Sequence, residues 1–471
     1  MKKKIIICIL SCTALLTGCD QILDVKPRQS IDSRDALSNE AAVEAALNSV
    51  YAYLRQASQY GRDLVAIPEL LADNAINTGN SGALVAEALN QPGAHINNWQ
   101  SSYFAINEIN NLFDALQALN ASQEFKDRIA GQLYFLRALY YHNLMRIYAY
   151  DPTAIREDVN KGGVPVMRHA VRAAEQISLA AREPIHTVYE HIYHNLDSAL
   201  LLLQDYSTNR APHYATAGAA AALYTRVALY NGDYEKVLVE ADNALASGVG
   251  VFQSNGAYIS AWRSPVHPES MFELVYLPPD NIGVNESLRA TFTSRLTLTG
   301  TTFTNRGHVV LSNELYELYK PEDVRRQLIM KGLGRNSALN EMYKFISKNG
   351  TANLDNVPVI RISEVYLNRA EAYARLGFPD EARADLNRIR TRAGLPAVEE
   401  TLSGVALINE ILLQRRLELA FEGHRFFDMK RLGMDIKKES GTVLFSEHRI
   451  LARIPIREVQ ANPNLVQNDG Y

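Results

Sequence analysis

The chain has 471 residues, 47% of them hydrophobic, and its 48 Lys and Arg nearly balance 52 Asp and Glu for a net charge of -4. A chain of this length can bury a large core and divides into more than one lobe, while a slightly acidic balance without a basic stripe excludes nucleic acid as a partner. All three cysteines fall within the first 19 residues, which excludes a disulfide framework or a thiolate metal site in the rest of the chain.

Lys2, Lys3 and Lys4 precede an apolar run from Ile5 to Leu16, and the run ends in Leu16-Thr17-Gly18-Cys19. This is the order of a charged n-region, an h-region and a small-residue cleavage point. The run falls short of the roughly 20 residues that span a bilayer. It resembles the lipobox of bacterial lipoproteins. The resemblance implies that residues 1–18 are a signal peptide, that Cys19 carries the lipid and that residues 19–37 are a tether. Cleavage would leave 453 residues with a net charge of about -7. No later apolar run reaches membrane-spanning length, so the body is expected to be held at a membrane by lipid alone.

From Ser38 the pattern is helical, with Val43, Leu47, Val50 and Leu54 at three- and four-residue spacing. A loop rich in Asn and Gly is expected from Asp73 to Gly93, then long helices over 97–119 and 123–149, the second capped by Ser122. Gly162-Gly163-Val164-Pro165 breaks the chain, and Pro184 stands where a first helical residue belongs. Ile185, Val188, Ile192, Leu196, Leu200 and Leu203 form the buried stripe of that helix. Two helices then meet at Asn231-Gly232-Asp233-Tyr234, and the same device returns at Leu376-Gly377-Phe378-Pro379-Asp380. Small residues occupy the facing sides, Ala228 with Ala244 and Ala370 with Ala382. The spacing resembles a tetratricopeptide unit of about 34 residues, but the array is interrupted. Residues 249–355 hold the strand-like Met271–Tyr276, a Pro278-Pro279 break, and a threonine-rich stretch with Phe292, Leu296 and Leu298 at even positions. Extended, loop-rich structure is expected there, and loops on a rigid scaffold gather binding residues.

Two polar constellations invite a chemical reading. Glu418, Glu422, His424 and Asp428 lie in the charged run from Arg415 to Arg431, where Arg415 with Glu418 and Asp428 with Arg431 are spaced as i, i+3 pairs. Leu417, Phe421 and Phe427 point to the core, so the run reads as a structural network. His186, Glu190 and His194 stand at i, i+4, i+8, a spacing that could hold zinc. Their stripe lies away from the apolar one, which makes it a solvated face.

Four C-terminal phrases carry a family resemblance: Arg361-Ile362-Ser363-Glu364-Val365-Tyr366-Leu367-Asn368-Arg369-Ala370-Glu371-Ala372; Asp385-Leu386-Asn387-Arg388-Ile389-Arg390-Thr391-Arg392-Ala393-Gly394; Arg415–Asp428; and Gln467-Asn468-Asp469-Gly470-Tyr471. With Phe135-Leu136-Arg137-Ala138, Tyr140-Tyr141 and Gly163-Val164-Pro165, they make the chain similar to the SusD/RagB family of outer-membrane nutrient-binding lipoproteins. Gln414 departs from the family's usual Glu before the two arginines, which puts one buried ionic contact in question. The resemblance implies a mainly α fold of tetratricopeptide-like helix pairs with a second, irregular lobe. Regions 38–248, 249–355 and 356–471 would be the N-terminal helical part, a ligand-binding insert and the C-terminal part. It further implies a surface-exposed lid on a TonB-dependent SusC-like transporter that binds a glycan, or in some members a peptide, catalyses nothing and needs no cofactor.

In the family the ligand surface includes the loop after the first helices, which here places Asp73, Asn74 and Asn77. A sugar also calls for an aromatic face beside hydroxyl-reading polar groups. Trp99 and Trp262 offer the largest such faces. Trp99 heads a helical stripe and can equally pack in the core. An all-helical glycosidase would share the size and helicity, with two carboxylates about 6.5–9.5 Å apart if inverting; the glycine-turn units and C-terminal phrases argue against it.

Overall fold

Asn39 accepts a hydrogen bond from the Ala42 backbone N–H and so starts α1 (Glu40–Leu54), whose Val43, Leu47, Val50 and Leu54 are buried. The computed structural model describes residues 37–206, 210–298, 300–331, 338–347 and 350–471; Cys19 and the expected signal segment and tether, up to residue 36, lie outside them. Helix α2 (Asp63–Leu71) is mostly apolar and is buried from Leu64 to Leu71, Glu69 included. Helices α3 (Trp99–Ala118) and α4 (Gln123–Tyr148) follow, with the Ser122 hydroxyl accepting from the Phe125 N–H at 3.2 Å. From Gly131 to Tyr148, α4 is buried on nearly every face, which makes it the central strut of the molecule.

Helix α5 (Ile185–Leu203) buries Ile185, Val188, Ile192, Leu196 and Leu203, with Leu200 partly covered. Pro184 is its cap and not its first helical residue, so the helix begins one residue later than expected. Helices α6 (Ala217–Asn231) and α7 (Tyr234–Ala246) meet at Gly232, and α8 (Ile362–Leu376) and α9 (Pro379–Ala393) meet at Gly377. Both glycines are left-handed, with φ of +76° and +85°, the backbone that closes a helix C-terminus. Ala228, Ala244, Ala370 and Ala382 are fully buried at the facing sides. Each helix from α3 to α8 packs on the next, so α7 lies directly against α8 and the interrupted repeat is continuous in space. Helices α10 (Gly404–Glu418) and α11 (Arg425–Arg431) complete the set, α10 on α8 and α9, α11 on α2. Among the described residues no helix is long and apolar enough to cross a membrane.

Residues between the two helical parts pair outward. Strand β1 (Ala75–Asn77) pairs with β5 (Val309–Leu311) in an antiparallel sheet of order β1-β5-β7-β6, with β6 at Ile329–Lys331 and β7 at Asn340–Met342. Strand β2 (Ser270–Leu274) pairs with β8 (Val357–Arg361), which runs directly into α8. Hairpins β3–β4 (Arg295–Leu298 with Thr301–Thr304) and β9–β10 (Ile436–Lys438 with Gly441–Val443) lie apart. Phe292 ends a short helix, Leu288–Phe292, and is not extended; Ser287 caps that helix through the Ala290 N–H and overrides the even-position pattern.

Candidate functional site

The expected Asn- and Gly-rich loop after α2 contains β1 and a short helix, Val85–Ala88, and these form one side of a cleft of about 420 Å³. Asp73, Asn77, Leu89, Glu314 and the tip of the β9–β10 hairpin, Lys437 to Ser440, line it. The hairpin reaches the cleft because the Lys438 ammonium donates to the carbonyls of Leu70 and Ala88 and to the Asn90 side chain. Burial pulls this ammonium down to about pKa 8, partly offset by the Asp73 carboxylate.

Asp73 and Asn74 are fixed from the C-terminal part. Arg425 donates to both Asp73 carboxylate oxygens at 2.6 and 2.8 Å, and Arg416 approaches at 3.3 Å. Burial raises the Asp73 carboxyl, but the two guanidiniums more than offset it and hold it below the usual range. Arg416 also donates to Asn74 Oδ1 at 2.8 Å and contacts Glu314 at 3.1 Å. Behind this rim, the buried Glu69 accepts from Asn74 Nδ2 at 2.7 Å and from the Gly423 N–H at 3.0 Å. Helix α11 can dock this closely only because residue 423 is glycine: a Cβ there would stand 2.0 Å from the Leu64 carbonyl oxygen.

Burial raises the Glu69 carboxyl to about 7, against the hydrogen bonds from Asn74, Phe421 and Gly423. A folded-state value above the unfolded one contributes stability below the unfolded pKa of about 4.3 that is lost as pH rises through the folded value. The wild type should therefore lose roughly 1 kcal/mol relative to Glu69→Gln between pH 6 and 8, read by denaturant unfolding of both at each pH. Parallel curves for the two proteins would show that Glu69 does not titrate there.

The sequence-predicted residues divide. Asp73 and Asn77 line the cleft, where Asn77 closes its own turn by donating to the Ala83 carbonyl and accepting from the Gly79 N–H. Asn74 is 1% exposed and spent on Glu69 and Arg416, so it is a brace and not a ligand contact. Both tryptophans are corrections to the aromatic-platform expectation. Trp99 is 4% exposed, wedged between Tyr103 and Tyr148 at 4.9 and 5.0 Å. Trp262 is 0% exposed beneath Lys344 and Arg361, because the short helix Tyr258–Ala261 turns the ring inward. Among the described residues the cleft lining holds no aromatic side chain. Lys437, Lys438, Glu439 and Ser440 were missed by sequence reasoning; the Glu439-Ser440-Gly441 turn is the signal that could have marked their hairpin.

The charged run is a buried network. Arg415 does not meet Glu418; it pairs with Asp428 at 2.8 Å, while Asp428 also takes Arg431 at 2.9 Å as expected. Glu418 instead meets Arg361 at 3.0 Å and Arg392 at 2.7 Å. Desolvation raises its carboxyl, but Arg392, Arg361 and Arg325 hold it well below the usual range. Gln414 replaces the doubtful ionic contact by accepting from Arg325 and donating to Glu410, both at 2.9 Å. His186, Glu190 and His194 are exposed along α5, and among the described residues no group of three His, Cys, Asp or Glu side chains is placed to hold a metal.

Residues 331–471 match the family model described as the SusD family, and residues 21–229 match a second model described as starch-binding, associating with outer membrane. The chain belongs to the SusD family. SusD-like protein P2 of Formosa agariphila is 26% identical over 97% of both chains. The starch-binding protein SusD of Bacteroides thetaiotaomicron is 32% identical over 126 residues, 25% of this chain and 22% of that one. A putative sugar-binding protein of Bacteroides vulgatus superposes with a TM-score of 0.81 at 25% identity, covering 93% of this chain and 99% of its own. A laminarin-binding SusD-like protein shares the fold, with a TM-score of 0.74 at 22% identity over 92% and 100% of the two chains. The helix-pair architecture of this SusD-family chain is thus that of solved family structures, and the family is one of outer-membrane-associated, starch- and glycan-binding proteins.

Proposed function

We propose that this SusD-family protein is a surface lipoprotein, anchored through Cys19, that holds an oligosaccharide in the Asp73–Lys438 cleft and passes it to a TonB-dependent SusC-like transporter. What carries the reading is the cleft itself: about 420 Å³, with apolar Val85, Ala88 and Leu89 beside the polar groups of Asn77, Lys437, Glu439 and Ser440. Mixed linings of this kind fix hydroxyl-rich ligands by a few placed polar contacts. The role is binding and not catalysis, since Glu418, Glu422 and Asp428 are committed to arginine and lysine partners. A hydrogen bond to a charged group is worth roughly 1.5–3 kcal/mol. Lys437→Ala should therefore weaken a glycan found by array screening about tenfold or more, with an unchanged melting temperature; Asn77→Ala should weaken it too, while lowering the melting temperature because it removes the bonds to Ala83 and Gly79 that close the turn. Unaltered affinity in both variants would remove the cleft from the binding function. Delivery is tested by mild-detergent purification, which should recover a β-barrel protein with the lipoprotein in near-equal amount.

A peptide ligand is the second reading, favoured by one observation. The cleft lining has aliphatic and charged side chains of both signs but no aromatic face among the described residues, which suits an extended peptide better than stacked sugar rings. Peptide binding that competes with no glycan would decide for it.

A further inference from the structure

A cleft of about 570 Å³ opens between the end of α3 and the start of α4, with Arg168 and His169 at its edge. It shares no lining residue with the Asp73 cleft. Its deepest charged group is Arg137, only 8% exposed. Several buried arginines of this protein meet carboxylates, Arg226 with Glu364, Arg361 with Glu269 and Arg431 with Glu371, whereas Arg146 and Arg289 bond asparagine side chains. Arg137 is of the second kind, and it alone of these stands at this cleft. Its Nε donates to Asn195 Oδ1 at 2.8 Å and its Nη1 to Asn110 Oδ1 at 2.9 Å, and among the described residues Nη2 has no partner. Burial accordingly lowers this guanidinium from its ordinary range, with only Tyr141 and Tyr134 opposing. A buried cation lacking a counter-charge is costly, and a carboxylate is the group that a guanidinium fork matches.

The surroundings restrict what could bring that carboxylate. The acidic groups at the cleft are already engaged, Asp114 by Arg172 at 2.7 Å and Asp127 by the Gln123 amide at 2.7 Å, while Lys126, Arg168 and His169 add basic groups to the rim. Arg168 is itself shared with the exposed side of Glu183 at 2.8 Å. Phe113 and Tyr134, half-buried with ring centroids 4.5 Å apart, flank the guanidinium at 4.7 and 5.4 Å and turn their remaining surface to the cleft. Aromatic surface beside an anion-reading fork, with Gln117 and Gln123 amides nearby, fits a sugar ring that carries its own carboxylate. We propose that the α3–α4 cleft is a second binding site, for a uronic acid residue whose carboxylate pairs with Arg137.

The test supplies the missing counter-charge from within. Asn195→Asp places a carboxylate where Asn195 Oδ1 now accepts from Arg137, and so occupies the guanidinium, at the cost of the bond that Asn195 Nδ2 donates to the His191 carbonyl. The full-length protein in detergent is titrated with tetrasaccharides of galacturonate, glucuronate and mannuronate, and with their methyl esters. At least one charged tetrasaccharide should bind at least tenfold tighter than its ester. Asn195→Asp should abolish that preference in a protein that keeps its helical circular dichroism and cooperative melting, Phe113→Ala should weaken the binding, and Asn77→Ala in the other cleft should leave it unchanged. Loss through Asn77→Ala would instead place the ligand in the Asp73 cleft and overturn the second site. Equal affinity for acid and ester, no binding by any uronate, or an acid preference that survives Asn195→Asp would also overturn it.

Discussion

Arg361→Met is expected to destabilise the fold by about 3–5 kcal/mol, the cost of leaving a buried charge without its partner. Arg361 ends β8 and is fixed opposite Ser270 of β2, so its side chain cannot move away from the groups it serves. It meets Glu269 at 2.7 Å, Glu418 at 3.0 Å and Glu422 at 2.7 Å. Around it Arg392 bonds Glu269 and Glu418, Arg325 bonds Asp323, and Lys344 bonds Glu422. Arg325, Lys344, Arg361 and Arg392 thus balance Asp323, Glu269, Glu418 and Glu422. Removing Arg361 leaves one carboxylate in excess in a buried site, and Met replaces the volume but not the charge. That carboxylate's folded pKa must rise above its unfolded value near 4.3, so the deficit should shrink as pH falls towards 5 and be full at pH 8. Denaturant unfolding of Arg361→Met and wild type at both pH values checks the size and the sign. A loss below 1 kcal/mol at pH 8, or one that grows on acidification, would sink the account. The effect should reach the candidate site, since Glu422 leads into Gly423 and Arg425, the residues that seat α11 and hold Asp73.

Much of the scaffold was legible because helices announce themselves locally. Apolar spacing, the Ser122 cap and the glycine turns at Gly232 and Gly377 all act within a few residues, and each is where the pattern placed it. The contact of α7 with α8 was not legible, because it closes over a long intervening segment that carries no repeat. The Arg415–Glu418 expectation failed for a related reason. Helical spacing does join the buried Asp428 and Arg431, but Arg415 and Glu418 are surrounded by other elements and take partners from β8, α9 and α11 instead. Strands β9 and β10 have three residues each, too few for alternation to register, so the hairpin tip that lines the cleft stayed hidden. Within Asp73-Asn74, the sequence shows two adjacent polar residues and cannot show which one faces the cleft. The structure turns Asn74 inward to Glu69.

Trp262→Ala should cost about 3–5 kcal/mol of stability, the range for truncating a buried large aromatic, and leave ligand affinity unchanged. Trp262 is one of the two rings that the sequence offers as a face for a sugar. The ring is 0% exposed, with Lys344 Nζ 4.6 Å and Arg361 Cζ 5.2 Å from its centroid and His267 packed edge-on at 4.5 Å. Two cations of the balanced network therefore rest against one indole, whose electron-rich face attracts them most strongly where water is absent. Alanine would remove the packing and that attraction together, and the cavity would sit beside charges that water could then reach. Trp262→Phe keeps a ring face and should recover part of the loss. Parallel measurements of melting temperature and glycan or peptide affinity on both variants separate the roles. A variant that melts like wild type but no longer binds would return Trp262 to the ligand surface, and would mean that Lys344 and Arg361 can part to expose it.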